Sequence, residues 1–227
     1  YCTVKYDPYG NEIWVRDFGQ PRSSNELKAM CIDDNFNLYI TGKDNGYATT
    51  VSFDSSGNLR WSQFYPEYSI GNAIALDKAG NVFVTGIYFS TTRDKFLTIK
   101  YTTIGVMQWV RYYQLCDTIG CYSQPGNIAV DKLDNIIVGG TSGNSQYGGA
   151  LFTTIKYTST GDTLWIRNKT PNPGIAIMGG PKTDMVIDIF SNIYTTANVP
   201  IRIEPYSYGS YYTFKYDSSG ALKWTVL

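Results

Sequence analysis

The sequence predicts an all-β fold, and three observations carry that prediction. First, two short motifs alternate along the 227 residues, and each has the composition of a β-hairpin. Second, 15% of the residues are aromatic and only 17% are charged, which favours strands over solvated helices. Third, the segments between turns carry bulky groups on both faces, as strands do when they are buried between two sheets.

The first motif contains every tryptophan of the chain and places a glycine four residues before it. Turn residues (Asp, Ser, Asn, Gly) occupy its middle, and strand residues (Tyr, Val, Thr) occupy its flanks. Each copy therefore predicts a tight hairpin, named C–D. The five copies are KYDPYGNEIW (5–14), SFDSSGNLRW (52–61), KYTTIGVMQW (100–109), KYTSTGDTLW (156–165) and KYDSSGALKW (215–224).

The second motif lies between these copies and places an asparagine four residues after an aspartate. Its flanks are rich in Val, Ile and Tyr, so each copy predicts another hairpin, named A–B. The last copy has Ser191 where the second copy has Gly80, and Ala197 where the other three copies have glycine, so we expect it to turn less regularly. The four copies are CIDDNFNLYITG (31–42), ALDKAGNVFVTG (75–86), AVDKLDNIIVGG (129–140) and VIDIFSNIYTTA (186–197).

Strict alternation of the two motifs gives a repeat of four antiparallel strands, A–B and then C–D. Successive tryptophans are 47, 48, 56 and 59 residues apart, a spacing typical of propeller blades. Four-stranded sheets stacked around an axis also account for burial on both faces. We therefore predict a single β-propeller segment. It contains an outer half-blade at 1–19 and four blades at 27–66, 71–113, 127–169 and 184–227.

Together the two motifs resemble the bacterial β-propeller repeat family often called SBBP. Units of that family look like aiavDssGNvyvTG followed by tvkYdssGnlqWvrry, and the similarity covers nearly the whole chain. The departures are modest: Ser52 replaces the usual Lys, and Thr102 and Thr158 replace Asp. The resemblance implies a secreted or cell-surface β-propeller protein and says nothing about its chemistry.

The tryptophans are predicted to be structural. Their fixed place in every repeat indicates packing between neighbouring sheets, with each ring burying on the order of 200 Å². Sugar stacking and a quinoprotein-like docking motif are the alternatives, and the second would need a further cluster of acidic, basic and cysteine groups. The five residues are Trp14, Trp61, Trp109, Trp165 and Trp224.

Two local patterns suggest other structures that the repeat alignment disfavours. Segment 33–37 (Asp-x-Asn-x-Asn) is faintly similar to a calcium loop, but Leu38 stands where that loop needs glycine. In the aligned copies the aspartate caps the amides of a turn. Ser23-x-x-Glu26 is similar to a helix capping box, although the alignment places the segment that follows on a strand.

Composition argues against several classes of function. Nineteen basic and 19 acidic residues give a net charge of zero, whereas nucleic-acid binders usually show a basic excess. Histidine is absent, which excludes Ser-His-Asp and Cys-His mechanisms and His-containing zinc sites. No apolar run approaches the roughly 20 residues that span a bilayer. We therefore expect no cofactor, no bound metal, no nucleic-acid partner and no membrane insertion.

Cys116 and Cys121 are predicted to form a disulfide. Four intervening residues allow their Cα atoms to approach the roughly 5.5 Å that such a bond prefers. A structural disulfide in turn indicates an oxidising, exported location. Cys31 aligns with small apolar residues of the other repeats, so we expect it to be buried and unpaired.

The connections between hairpins vary, whereas the turns within them do not. In antiparallel blades all of these connections emerge on one side of the disc, and variable loops on a rigid scaffold commonly carry recognition. The variable connections are D–A at 19–26, 114–127 and 169–183 and B–C at 87–95, 142–150 and 198–210. The binding residues predicted on this variable-loop face are the aromatic residues Tyr88, Phe89, Tyr147, Tyr206 and Tyr208.

We therefore predict a non-catalytic scaffold or recognition module, extracellular or at the cell surface. It would bind a protein, a glycan or another copy of itself through the variable-loop face. The alternative is a propeller enzyme of the lyase, hydrolase or quinoprotein kind, with an acidic or metal site at the axis. Because five C–D hairpins cannot pair with four A–B hairpins, we also expect these residues to belong to a larger ring or chain.

Overall fold

The computed structural model describes residues 1–19, 24–91, 93–116, 118, 120–144, 150–170, 183–203 and 206–226, with the backbone alone at 150, 199–203 and 206–210. In these residues the chain forms 17 β-strands and no helix. All of the strand pairs are antiparallel. The all-β class is therefore confirmed, and a strand rather than a helix begins at Glu26.

The strands form four hydrogen-bonded sheets in chain order. The first contains β1 (Cys2–Tyr6) and β2 (Glu12–Asp17). The second contains β3 (Glu26–Ile32), β4 (Leu38–Asp44), β5 (Tyr47–Phe53), β6 (Leu59–Leu76), β7 (Val82–Tyr88), β8 (Lys95–Tyr101) and β9 (Met107–Tyr113). The third contains β10 (Cys121–Val130), β11 (Ile136–Asn144), β12 (Ala150–Tyr157) and β13 (Thr163–Lys169). The fourth contains β14 (Thr183–Ile187), β15 (Ile193–Ile203), β16 (Tyr206–Tyr216) and β17 (Leu222–Val226).

The long strand β6 serves two groups of strands. Its first part, from Leu59 to Tyr68, pairs with β5, and its second part, from Ser69 to Leu76, pairs with β7. The seven-stranded sheet is thus two groups of four, β3–β6 and β6–β9, which share β6 without a loop between them. In each group the strands follow the predicted order A, B, C, D.

Two of the predicted connections are partly strand. β15 and β16 continue as a two-stranded extension, from Asn198 opposite Tyr211 to Ile203 opposite Tyr206. β10 already begins at Cys121, so residues 121–127 also belong to a strand. The expectation of loops was wrong at these positions.

The core lies between the faces of successive sheets. One cluster joins Phe83 and Phe96 of β7 and β8 to Ile136 of β11. Another joins Phe152 of β12 to Phe214 of β16, with ring centroids 5.7 Å apart. These five side chains are at most 1% exposed. Strands that contact a sheet on either side need apolar groups on both faces, which is the pattern that the sequence shows.

The aspartate of each A–B motif closes its turn. Asp188 Oδ1 accepts the amides of Phe190 and Asn192 at 2.9 Å, and Asp188 Oδ2 accepts the Asn192 side-chain amide at 2.7 Å. Ser191 adopts a left-handed φ of 60°, where the second copy has Gly80 at 79°. The fourth turn therefore keeps the geometry of the others, and the expectation that it is less regular was wrong.

Candidate binding cleft at the inner strands

Three of the four A strands contain a β-bulge at the same position of the repeat. The pairing register skips Lys28 in β3, Asn72 in β6 and Gly126 in β10. Each of these residues lies five positions before the aspartate of its A–B motif. A bulge leaves one residue out of the ladder and redirects the groups beside it. The repeat therefore builds the same local irregularity three times.

A glycine opposite each bulge makes room for it. In the fourth A–B hairpin Ala197 takes this glycine's place, and β14 pairs with β15 in regular register from Thr183 onward, where its description begins. The glycine of the TG or GG pair that ends the A–B motif is thus a bulge signal. A Cβ added to any of the three motif glycines would clash with a backbone carbonyl oxygen. The distance from the Cβ to that oxygen would be 2.0 Å for Gly42 and Glu26, 1.8 Å for Gly86 and Ile70, and 2.4 Å for Gly140 and Gln124.

The bulged segments line a cleft of about 600 Å³ at the variable-loop end of the A strands. Each of the four A strands contributes to its walls, and the ends of β4 and β7 and the loop after β7 complete them. We name this the axial cleft, because it lies between the first strands of successive repeats. Its polar lining residues are Glu26, Lys28, Lys43, Asn72, Gln124 and Thr183.

Two asparagine side chains tie neighbouring A strands together beside the cleft. Asn72 Nδ2 donates to the carbonyl oxygen of Pro125 at 2.8 Å. Asn127 Nδ2 donates to the carbonyl oxygen of Thr183 at 2.7 Å and to its hydroxyl at 2.9 Å. Both bonds cross from one sheet to the next. They therefore hold the walls of the cleft at a fixed spacing.

The axial cleft is basic. The Lys28 ammonium forms an ion pair with Glu26, and this hydrogen bond holds the pKa of the Glu26 carboxyl below its usual value. Lys43 lies opposite Glu26 in the β3–β4 register and is half-buried. The described lining residues include two lysines and one glutamate, a net charge of +1. This arrangement favours an anionic ligand.

A patch of aromatic rings borders the axial cleft, and we name it the aromatic patch. Phe89 lines the cleft, and its ring centroid lies 5.2 Å from that of Tyr68. Tyr47 pairs with Tyr68 across the β5–β6 register, and its ring lies 6.2 Å from that of Phe64. Phe64 is 66% exposed and Tyr68 is 58% exposed. The patch thus offers flat apolar surfaces beside the charged groups.

Tyr88 belongs to a separate ring cluster. Its ring lies 5.3 Å from that of Tyr112, and the Lys95 ammonium lies about 6 Å from both centroids. The hydroxyls of Tyr65 and Tyr112 are hydrogen-bonded, and Tyr65 also donates to Glu67 at 3.2 Å. A hydrogen bond with Glu67 raises the pKa of Tyr88. These contacts engage the rings with one another, and Tyr112 stays 42% exposed.

The structure separates the five predicted binding residues. Phe89 lines the axial cleft, whereas Tyr88 lies in the ring cluster just described. Tyr147 lies outside the described residues. Tyr206 and Tyr208 belong to β16, in the strand extension, where the structure describes the backbone alone.

Sequence reasoning missed the polar residues of the cleft. Lys28 and Asn72 look like ordinary strand residues in the repeat alignment, and Lys43 simply follows the motif glycine. A usable signal was present nonetheless. The glycine that ends three A–B motifs marks a bulge, and the bulged residue lies 14 positions before it.

Four of the five tryptophans pack against the repeat that follows them. Trp14 and Trp61 are buried, and Trp109 and Trp165 are half-buried. Trp224 in β17 is different, with 40% of its surface exposed. No described sheet follows β17, so the packing of Trp224 between two sheets stays a prediction.

The predicted disulfide is present. Cys116 and Cys121 are bonded, with their Cα atoms 6.1 Å apart, in the connection between β9 and β10. Cys31 is unpaired and partly buried, and burial raises the pKa of its thiol to about 12. Cys2 is unpaired and exposed.

The carboxylates of the turn aspartates accept hydrogen bonds from groups of their own hairpin. Asp33 Oδ1 accepts the amides of Asn35 and Asn37 at 2.9 and 2.8 Å, and Oδ2 accepts the Tyr39 hydroxyl at 3.0 Å. Within the described ranges no three Cys, Asp or Glu side chains converge as a metal site would require. Over the same ranges no helix has the length and apolar character needed to cross a membrane.

Comparison with known proteins identifies the fold. No family model and no curated protein sequence matches the chain. A protein of unknown function from Bacteroides caccae shares 12% identity, with a TM-score of 0.52 over 96% of this chain and 72% of that one. The polysaccharide lyase Uly1 shares 8% identity, with a TM-score of 0.55 over 88% of this chain and 72% of that one.

A third similar structure is an ulvan lyase, from a new family of polysaccharide lyase, bound to a GlcA(1-4)Rha3S saccharide. It shares 10% identity, with a TM-score of 0.53, and the match covers 96% of this chain. This chain spans 58% of the lyase, which is less than two thirds of its length. At these identities the similarity shows the fold alone, an all-β, propeller-type arrangement of antiparallel sheets.

Proposed function

We propose that this protein is a non-catalytic, exported recognition module that binds an anionic glycan at its axial cleft and aromatic patch. The observation that carries the proposal is the juxtaposition of Lys28 and Lys43 with Phe89 and Tyr68. Lysine pairs with carboxylate or sulfate groups, and an exposed ring offers a face on which the apolar side of a sugar can stack. A protein partner remains the second kind of ligand for the same face.

The cleft is built as a binding site is expected to be built. Its walls come from regular strands that interstrand asparagines hold in place, and its polar groups converge from four A strands. A volume of about 600 Å³ is within the range of ligand pockets and accommodates a few sugar units. A preformed cleft loses little conformational entropy when a ligand binds.

The similar structures support a saccharide as the ligand. Two of the three similar structures described above are named polysaccharide lyases, and one of those two is bound to a saccharide of glucuronate and sulfated rhamnose. Both of those sugars are anionic. The basic character of the axial cleft agrees with a ligand of that class.

The carboxylate in the described lining favours binding without catalysis. Glu26 is paired with Lys28, and its lowered pKa makes the carboxylate a weaker base for removing a proton from a sugar. A polysaccharide lyase is the second candidate, which the similarity of fold favours. Such an enzyme removes the C5 proton of a uronate and expels the C4 oxygen, leaving an unsaturated sugar.

Location and extent form part of the same proposal. The Cys116–Cys121 disulfide supports an extracellular or cell-surface location, since such bonds persist in oxidising compartments. The order of sheets supports four propeller blades with a half-blade formed by β1 and β2. We place the chain among proteins built from SBBP-like repeats, on the strength of its two motifs.

Titration calorimetry with a GlcA(1-4)Rha3S oligosaccharide tests the proposal, with cellohexaose as the neutral control. We expect binding of the anionic saccharide that weakens with added salt, and much weaker binding of the neutral one. Lys43→Gln should weaken binding about tenfold, or roughly 1.4 kcal/mol. Lys132→Gln, an exposed lysine in the β10–β11 turn, is the matched control and should leave binding unchanged.

Three results would overturn parts of the proposal. Equal affinity for both saccharides, or equal effects of Lys43→Gln and Lys132→Gln, would remove the basic cleft as the site. Absence of binding to either saccharide, with binding of a protein ligand lost in Lys43→Gln, would favour the protein partner. Ultraviolet absorbance of an unsaturated uronate appearing during incubation would establish the lyase.

A further inference from the structure

The charged groups described in the axial cleft all come from one repeat. Glu26 and Lys28 lie on β3, and Lys43 lies near the end of β4. In the next two repeats uncharged residues occupy the same positions relative to the motif aspartate. These residues are Ile70, Asn72 and Ile87 in the second repeat and Gln124, Gly126 and Thr141 in the third.

The ion pair between Glu26 and Lys28 is not needed to build the cleft. The second and third repeats form the same bulge with uncharged residues, at Asn72 and Gly126. The pair is also accessible to solvent, since the side chain of Lys28 is 34% exposed and that of Glu26 is 48% exposed. An exposed ion pair contributes little to folding. We therefore look for the role of this pair in binding.

The two lysines of the cleft differ in what they offer to a ligand. The Glu26 carboxylate binds the Lys28 ammonium, so it takes the place that an anionic group of a ligand would take. Lys43 lies opposite Glu26 in the β3–β4 register and forms no ion pair within the described ranges. The Glu26–Lys28 pair is neutral as a unit, and Lys43 supplies the remaining positive charge.

We propose that Glu26 is a built-in competitor for Lys28, which adapts the axial cleft to a glycan with one anionic group at this site. The first anionic group of the ligand binds Lys43, whereas a second must displace Glu26 from Lys28. Displacement exchanges one anion for another on the same ammonium, so the second group adds little affinity. A polysaccharide in which uronates alternate with neutral sugars has this charge density. This inference rests on the proposed function and deepens it.

Titration calorimetry with a GlcA(1-4)Rha3S oligosaccharide and its desulfated form, matched in length, tests the inference. The two ligands differ only in sulfate, so the ratio of their affinities measures what the second anionic group adds. We expect the wild type to bind both forms within about threefold of each other. Glu26→Gln frees Lys28 and keeps the size of the side chain, so this variant should bind the sulfated form about tenfold more tightly.

Two further variants separate competition at Lys28 from a general change of charge. Glu26→Gln combined with Lys28→Gln removes both partners and keeps the net charge of the described lining at +1, so the wild-type ratio should return. Glu12→Gln removes an equal charge from an exposed position in β2 and should leave the ratio unchanged. Thermal midpoints close to that of the wild type would show that the variants are folded.

Each of three outcomes would contradict competition at Lys28 while leaving the proposed function intact. They are a wild type that already prefers the sulfated form about tenfold, a Glu26→Gln variant with the wild-type ratio, and a double variant that keeps the preference of Glu26→Gln. Absence of binding of either form to the wild type would overturn the proposed function and this inference together.

Discussion

At the scale of single residues, the same side chain performs the same task in successive repeats. Tryptophan contacts the following turn, glycine receives the ring, and aspartate closes the A–B turn. Because the tasks are equivalent, exceptions are informative. Trp224 and Gly10 keep their identity and local geometry while lacking, among the described residues, the neighbour that their equivalents contact.

Trp109 and Trp224 form a matched pair for measuring the contact between repeats. Trp109→Ala should destabilise the fold by about 3 kcal/mol, because it removes a ring packed against the Gly161 turn. For a domain of this size that lowers the thermal midpoint by about 6–12 °C. Trp224→Ala in the monomer should cost less than about 1 kcal/mol. Equal losses from the two substitutions would contradict the packing that we describe.

Lys156 and Asp131 form a buried ion pair with an N–O distance of 2.8 Å, and both side chains are at most 4% exposed. Burial raises the pKa of Asp131, but the Lys156 ammonium and the Asn135 amide outweigh that effect and lower it overall. Lys156→Met should cost about 3–5 kcal/mol, since it leaves a buried charge unpaired. Adding Asp131→Asn should recover part of the loss. Urea unfolding of the single and double variants checks this, and an unrecovered loss would assign the cost to packing alone.

At the scale of secondary-structure elements, the bulged A strand positions the cleft. The motif glycine allows a backbone carbonyl to approach closely, the ladder then skips one residue, and Lys28 or Asn72 leaves the regular pairing. In the fourth repeat Ala197 accompanies regular pairing of β14 from Thr183 onward. Glycine and bulge thus occur together in three repeats.

Gly86→Ala and Ala197→Gly test this rule in opposite repeats. The alanine Cβ would lie 1.8 Å from the Ile70 carbonyl oxygen, so Gly86→Ala should displace the bulge and cost about 1–3 kcal/mol. It should also weaken saccharide binding, because Asn72 moves with the bulge. Ala197→Gly should cost about 1 kcal/mol or less. Unfolding and titration calorimetry should be measured on both variants. Full stability and full affinity in Gly86→Ala would contradict the link between the motif glycine and the bulge.

The aspartate turns predict loss of stability in acid. Hydrogen bonds from Asn192 lower the pKa of Asp188 to about 2, and the other turn aspartates with lowered pKa values are Asp7, Asp33, Asp54, Asp131 and Asp217. Their folded pKa values lie below the unfolded value near 3.9, so their contribution is present above that pH and is lost as the pH falls through the folded values.

Thermal midpoints should therefore fall between about pH 5 and pH 2. Asp188→Asn removes one titrating group, so the variant should start less stable at neutral pH and lose less on acidification. The wild-type titration is the reference for both changes. A midpoint that is constant or rises in acid would show that these carboxylates do not stabilise the folded state.

The sequence predicts a secondary-structure element well where a single turn with a known hydrogen-bonding pattern determines it. The hairpins and their turns follow from Asp, Asn and Gly at fixed spacing, and they lie where we predicted. The extension of β15 and β16 was missed because the B–C connections vary in length and composition, which is typical of loops. Pro200 is tolerated in this extension, because the pairing described for residues 198–203 is with β16 alone. The cleft was missed because a bulge shifts register without altering the motif spacing.

At the scale of the whole molecule, repetition explains the core. Each sheet contacts the next through equivalent residues. Periodicity in the sequence predicts these contacts but treats all repeats alike. The exposure of Trp224 could therefore emerge only from the three-dimensional arrangement, in which no described neighbour follows it.

The central claim is that the axial cleft is the ligand-binding surface, and amide chemical-shift mapping tests it most directly. Spectra of the isotope-labelled protein would be followed while the GlcA(1-4)Rha3S oligosaccharide is added. We predict that the largest shifts cluster at residues 26–28, at Lys43, Asn72 and Phe89, and at residues 124–126. Shifts confined to the A–B turns at the opposite end of the strands, or no shifts at saturating saccharide, would contradict the claim.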